Sequence, residues 1–136
     1  MQKIKGGCLC GAVSYEVDNN FEKLFLCSCE QCRQISGSAF ASNLFGAIEG
    51  FDWLSGNGEI ENYQMPGRDI SKSFCRVCGS GVPWASGDGT KMIVPAGSLS
   101  GPAIVAERLR IFTSEQPFWA SDLEQIPAHA KFPEPS

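Results

Sequence analysis

Cys27-Ser28-Cys29-Glu30-Gln31-Cys32 places three thiols within six residues, closer together than scattered core cysteines fall. Two pairs flank this stretch, Cys8-Leu9-Cys10 near the start and Cys75-Arg76-Val77-Cys78-Gly79 past mid-chain, and the three groups hold all seven cysteines. Seven is odd, so full disulfide pairing leaves one thiol over. C-x-C and C-x2-C spacings instead suit a tetrahedral ion that prefers sulfur. The pattern reads as two zinc sites, one of four thiolates and one of three.

A C-x2-C-Gly turn folds both sulfurs inward and supplies half of a tetrahedral site. A C-x-C pair fits the other half, because residues i and i+2 share one face of a strand. Spacing alone does not say which pair joins Cys75 and Cys78. Cys27, Cys29 and Cys32 are the most compact set and can bind one ion unaided. That leaves Cys8, Cys10, Cys75 and Cys78 for a closed site, which would tie the N-terminal strand to mid-chain. A three-thiolate site keeps one position for water or substrate. With a formal charge of about −1, it is a poorer Lewis acid than zinc on three neutral imidazoles. It is suited to a soft ligand: a thiol bound there is held as thiolate, its nucleophilic form. The chemistry expected is thiol transfer or addition, such as a thiolate attacking a carbonyl carbon.

The 136 residues fit one domain spanning 1–136, with a core over about 5–125 and a Pro-rich tail at 127–136. The sequence contains no apolar run near the roughly 20 residues that cross a bilayer, and its first residues do not read as a signal peptide. The expectation is a cytoplasmic protein away from membranes, where disulfides are rare. A net charge of −4 with no basic cluster argues against nucleic acid as a partner.

Short segments with strand patterning recur along the chain. Val13, Tyr15 and Val17 alternate onto one face, and Asp18-Asn19-Asn20 is a turn. Further strands are expected over Phe21–Leu26, Ser38–Ile48, Phe51–Leu54, Ile60–Met65, Ile70–Phe74, Val82–Ala85, Lys91–Ala96 and Ile104–Phe112. Arg33 to Ser38 reads as a short turn or helix stopped by Gly37 at positive φ, and Ser114 as the cap of a late helical turn. With weak helical periodicity throughout, this is a mainly β domain.

These motifs resemble the glutathione-dependent formaldehyde-activating enzymes, the centromere-protein-V/formaldehyde-activating domain. The resemblance rests on Gly7-Cys8-Leu9-Cys10-Gly11-Ala12-Val13, Cys27 to Arg33 with Gly37-Ser38-Ala39-Phe40, and Phe74-Cys75-Arg76-Val77-Cys78-Gly79-Ser80. Ala96-Gly97-Ser98-Leu99 and Pro117-Phe118-Trp119 extend it, so that it runs from about Gly7 to Leu123. It implies twisted antiparallel sheets of the β-tent zinc-binding type. It implies a structural zinc on Cys8, Cys10, Cys75 and Cys78 and a catalytic zinc on Cys27, Cys29 and Cys32. The activity implied is a carbon–sulfur lyase that reversibly combines glutathione with formaldehyde to give S-hydroxymethylglutathione. Where family members often carry His, this chain has Leu9, Ser28 and Arg110, and Ser100 stands where an Asp often follows the late loop.

Around the thiols, Arg33, Ser36 and Ser38 are candidate substrate contacts and Glu30 a candidate proton acceptor. Turn serines and surface charges are the plainer reading of all four. Phe40, Trp53, Trp84 and Trp119 read as core. The single His129 lies in the tail and is a poor ligand candidate. Two other functions fit the thiol pattern: a non-catalytic zinc-binding interaction domain, and a metal- or redox-responsive protein.

Overall fold

The computed structural model describes residues 2–134; Met1 and the last two residues of the expected tail, Pro135 and Ser136, lie outside them. In chain order the strands are β1 (Lys3–Gly7), β2 (Ser14–Asp18), β3 (Phe21–Cys27), β4 (Ala41–Ala47), β5 (Phe51–Ser55), β6 (Ile60–Gln64), β7 (Ser71–Cys75), β8 (Gly81–Val82), β9 (Trp84–Ala85), β10 (Lys91–Pro95) and β11 (Val105–Ile111). Among the described residues one α-helix, α1 (Glu30–Ser36), follows β3. The described strands form three sheets, ordered β1-β2-β5, β11-β3-β4-β10-β9 and β6-β7-β8. The mainly β expectation holds.

Alternation builds the core. Tyr15 and Val17 on β2 turn inward and meet Ile4, Phe21, Leu44 and Val94 from the neighbouring strands. Burying each large apolar side chain stabilises the fold by about 1.5–3 kcal/mol. Phe51 stacks on Tyr15 with ring centroids 5.3 Å apart, and Trp53 packs edge-on to Phe51 at 4.8 Å. In β10 the run Met92-Ile93-Val94 is buried without alternation, as expected of a strand covered on both faces.

β1 carries a weak apolar signal, because its inward positions are Ile4 and Gly6. Two sheets are antiparallel and the five-stranded one is mixed: β11 runs parallel to β3, with Ile111 opposite Cys27. Their long separation along the chain supplies the crossover that parallel strands need. Ser114 caps nothing, because the helical turn Thr113–Glu115 begins at Phe112 and leaves Ser114 inside it. Trp119 is not core: it is 61% exposed, on a turn where only Ala120 is buried. The described part of the tail, 127–134, is exposed throughout.

Candidate metal centre

The seven cysteines are free thiols and gather into two groups, Cys8, Cys10, Cys75, Cys78 and Cys27, Cys29, Cys32. Within each group the sulfurs lie within 4.8 Å of one another. Tetrahedral zinc with bonds of about 2.3 Å sets its sulfurs about 3.8 Å apart. Cys8 and Cys10 are 3.6 Å apart and Cys10 and Cys75 are 3.8 Å apart, so the donors fit such an ion.

The four-sulfur group joins two turns. Cys8 and Cys10 stand in the bend between β1 and β2, where Val13 N–H donates to Cys8 Sγ at 3.2 Å. Cys75 ends β7 fully buried against Val13 and Val82. Gly79 closes the second turn at φ 78, its N–H donating to the Cys75 carbonyl at 2.7 Å. Ser80 Oγ lies 3.2 Å from Cys78 Sγ and accepts the Leu9 N–H at 3.0 Å, stitching the turns together beside the sulfurs. The Ser80 hydroxyl and N–H, with the Cys10 N–H, pull the Cys78 thiol down to about 5. Cys8 also lies below the usual thiol range: burial pushes it up, but the Val13 N–H and the Cys10 and Cys75 thiols outweigh that.

In the three-sulfur group, β3 delivers Cys27 between β4 and β11, where Ala41 and Ile111 pack on the thiols. Cys29 is the N-cap of α1, and Cys32 lies buried in its first turn. Gly37 ends the helix at φ 62, as the sequence suggested, and its N–H donates to the Arg33 carbonyl at 2.8 Å. Burial pushes the Cys27 and Cys32 thiols up. Burial also raises Cys29, but the Cys32 N–H, the two neighbouring thiols and the Arg68 guanidinium bring it below its ordinary value. A bound cation would favour the thiolate at all three.

Cys27 and Cys32 open onto a cavity of about 430 Å³. Phe25, Phe40, Phe45, Trp84 and Phe112 supply aromatic walls; Phe40 and Trp84, read as core from sequence, are therefore cavity residues. Phe112 has φ 54, among the described residues the only non-glycine at positive φ, a strained conformation at the rim of a candidate site. Arg68 lies 6.0 Å from its ring centroid and donates to Gln31 Oε1 at 2.8 Å. Arg68 and Lys72 both line the cavity, and the sequence reading named neither. The Ser71-Lys72-Ser73 run gave one faint signal, a strand whose inward positions are serines.

The residues singled out earlier divide. Ser36 lines the cavity, its hydroxyl donating to the Cys32 carbonyl at 2.8 Å. Arg33 Nε donates to the Ser28 carbonyl at 3.1 Å, Ser38 is exposed, and neither lines the cavity. The Glu30 backbone N–H donates to Glu115 Oε1 at 3.1 Å, and Glu30 is exposed and does not line the cavity. His129 is exposed. Where the family often has His, Leu9 is 89% exposed, and Ser28 and Arg110 line a different cavity of about 440 Å³.

The family model of the glutathione-dependent formaldehyde-activating enzymes matches residues 3–115. No curated protein matches the chain. Among solved structures, a crystal structure of a Rhodobacter sphaeroides protein from a structural genomics programme is 23% identical and superposes with a TM-score of 0.61, over 78% of this chain and 100% of that one. That likeness shows a shared fold. The chain belongs to the glutathione-dependent formaldehyde-activating family.

Proposed function

We propose that this chain is a zinc-dependent carbon–sulfur lyase that adds a thiol, glutathione or a similar one, to a small aldehyde. The observation that carries the reading is the asymmetry of the two thiol groups. One has four donors and stitches two turns, whereas the other has three and faces a cavity. Cys8, Cys10, Cys75 and Cys78 would hold a structural zinc, and Cys27, Cys29 and Cys32 a catalytic one. Bound to the three-sulfur group, zinc would keep an incoming thiol in its thiolate form at neutral pH.

The chain's own residues do the rest. The end of β3 and the first turn of α1 fix the three sulfurs, and the aromatic walls keep water from the reacting pair. In the addition, the thiolate lone pair forms the C–S bond. The carbonyl π pair moves to oxygen, which takes up the proton the thiol gave up. The reverse breaks C–S and restores thiol and aldehyde. Of the candidate substrate contacts Arg33, Ser36 and Ser38, only Ser36 lines the cavity, which supports a contact there. A reducing compartment such as the cytoplasm would keep the seven thiols free for metal.

Elemental analysis of the purified chain, with glutathione and formaldehyde followed by NMR for the hydroxymethyl thioether signal, tests this reading. Two zinc ions per chain and accelerated formation of the adduct are expected. Two zinc ions with no acceleration and no thiol binding would instead favour a non-catalytic zinc module.

A further inference from the structure

Lys72 stands out among the cavity residues. It sits on β7, half-buried in the wall of the cavity that Cys27 and Cys32 also line. Among the described residues its ammonium makes no ion pair; the four ion pairs present use Lys3, Lys23, Arg76 and Lys91. The two charged residues beside it are already engaged. Arg68 donates to Gln31 and lies over Phe112, and the Asp69 carboxylate accepts the Gly87 N–H at 3.0 and 3.2 Å. Space for the ammonium is provided by the absence of a side chain: a Cβ at Gly81 would lie 2.8 Å from Lys72 Nζ. A cation held at an aromatic-walled cavity without a counter-charge is matched by a ligand that brings one.

We infer that the cavity selects an acidic thiol of a particular shape: an apolar, aromatic-sized body, one carboxylate against Lys72, and the sulfur directed to Cys27, Cys29 and Cys32. The inference rests on the thiol-addition reading of the same cavity and narrows its substrate class. Five aromatic rings offer large apolar contact; of the two cations in the lining, Arg68 is engaged by Gln31 and Phe112, whereas Lys72 has no partner among the described residues. Glutathione brings two carboxylates, an ammonium and two amides, and so asks for more polar partners than an aromatic mercapto acid does. Burial holds the Lys72 ammonium below its ordinary pKa, the electrostatic cost that an incoming carboxylate would offset.

The test uses the zinc-loaded full chain and calorimetric titration with 4-(mercaptomethyl)benzoate, its carboxamide, 4-methylbenzoate and glutathione. The acid thiol should bind about tenfold more tightly than its amide, the scale of one charge-assisted hydrogen bond. Lys72→Gln should bring that ratio close to one, and Gly81→Ala, which crowds the ammonium, should lower it. Circular dichroism of each variant separates these effects from loss of fold. Equal binding of acid and amide by the unmodified chain, or tighter binding of glutathione than of the aromatic acid, overturns the inference. Absorption spectra of the cobalt-substituted chain separate it from the reading beneath. Lys72-dependent binding of 4-methylbenzoate, with no thiol-induced change at the metal, keeps the carboxylate site and removes thiol addition. A thiol-induced spectral change with no preference for the acid does the opposite.

Discussion

Cys29 Sγ accepts the Cys32 backbone N–H at 3.4 Å, so a single sulfur both caps α1 and belongs to the three-thiol group. The two roles separate by substitution. Cys29→Ser keeps a capping oxygen and removes a thiolate. It should lose one metal ion per chain, keep the other, and lose adduct formation. Cys29→Ala should show the same metal loss and cost about 1 kcal/mol more, the usual worth of an N-cap. Elemental analysis and urea unfolding check both. A serine variant with full metal and full turnover would contradict the assignment.

The four-sulfur group should carry much more of the stability. Structural zinc sites contribute apparent binding energies of about 10 kcal/mol or more, comparable to the roughly 5–15 kcal/mol of a whole domain. Cys75 is also fully buried between Val13 and Val82. Cys75→Ser should therefore lower the melting temperature by more than about 10 °C, and Cys32→Ser by less. Scanning calorimetry with and without chelator measures the difference. Equal effects of the two substitutions would mean that the groups are not divided in this way.

Tyr15 tests the core. Its hydroxyl lies 2.6 Å from Ser98 Oγ, and Ser98 also donates to the Pro95 carbonyl at 2.6 Å. Tyr15→Phe should cost about 1 kcal/mol, because Ser98 keeps its second partner. Gly6→Ala should cost about 1–3 kcal/mol or more, since the added Cβ would collide with the Tyr15 phenol and approach the Ser98 carbonyl at 2.7 Å. Urea denaturation gives both values.

Lys72 gives stability a pH dependence with a definite sign. Burial lowers its folded pKa below the ordinary 10.5, so between the two values the unfolded chain binds more protons. The Lys72 contribution is complete above 10.5 and is lost as pH falls through the folded value. At neutral pH the charged side chain is thus a cost. Lys72→Met should raise the melting temperature at pH 7, with the advantage shrinking toward pH 10.5. A variant less stable than its parent at neutral pH would show that the ammonium has a partner.

The sequence revealed what depends on neighbours along the chain. Val13, Tyr15 and Val17 alternate within five residues, and Gly37 and Gly79 mark turns beside cysteines, so these elements were readable locally. The thiol groups were readable because cysteine is rare and its spacing is geometric. Partner choice was hidden: β11 beside β3 joins residues some eighty positions apart, and either strand direction would give the same pattern. The cavity was hidden for the same reason. Arg68 and Lys72 look like surface charges until β7 and β8 are set against the end of β3, and Phe40 and Trp84 look like core until the space beside them is seen. Arg33 is a candidate only through its nearness to Cys32 along the chain, and it bonds back to Ser28.

The parallel pairing of β11 with β3 also sets an order of assembly. During synthesis the last sulfur of the four-membered group, Cys78, emerges well before Val105–Ile111, the strand that walls Cys27. The growing chain therefore presents all four of those sulfurs while the pocket beside the other three still lacks a side, and completion of the cavity waits for the final strand.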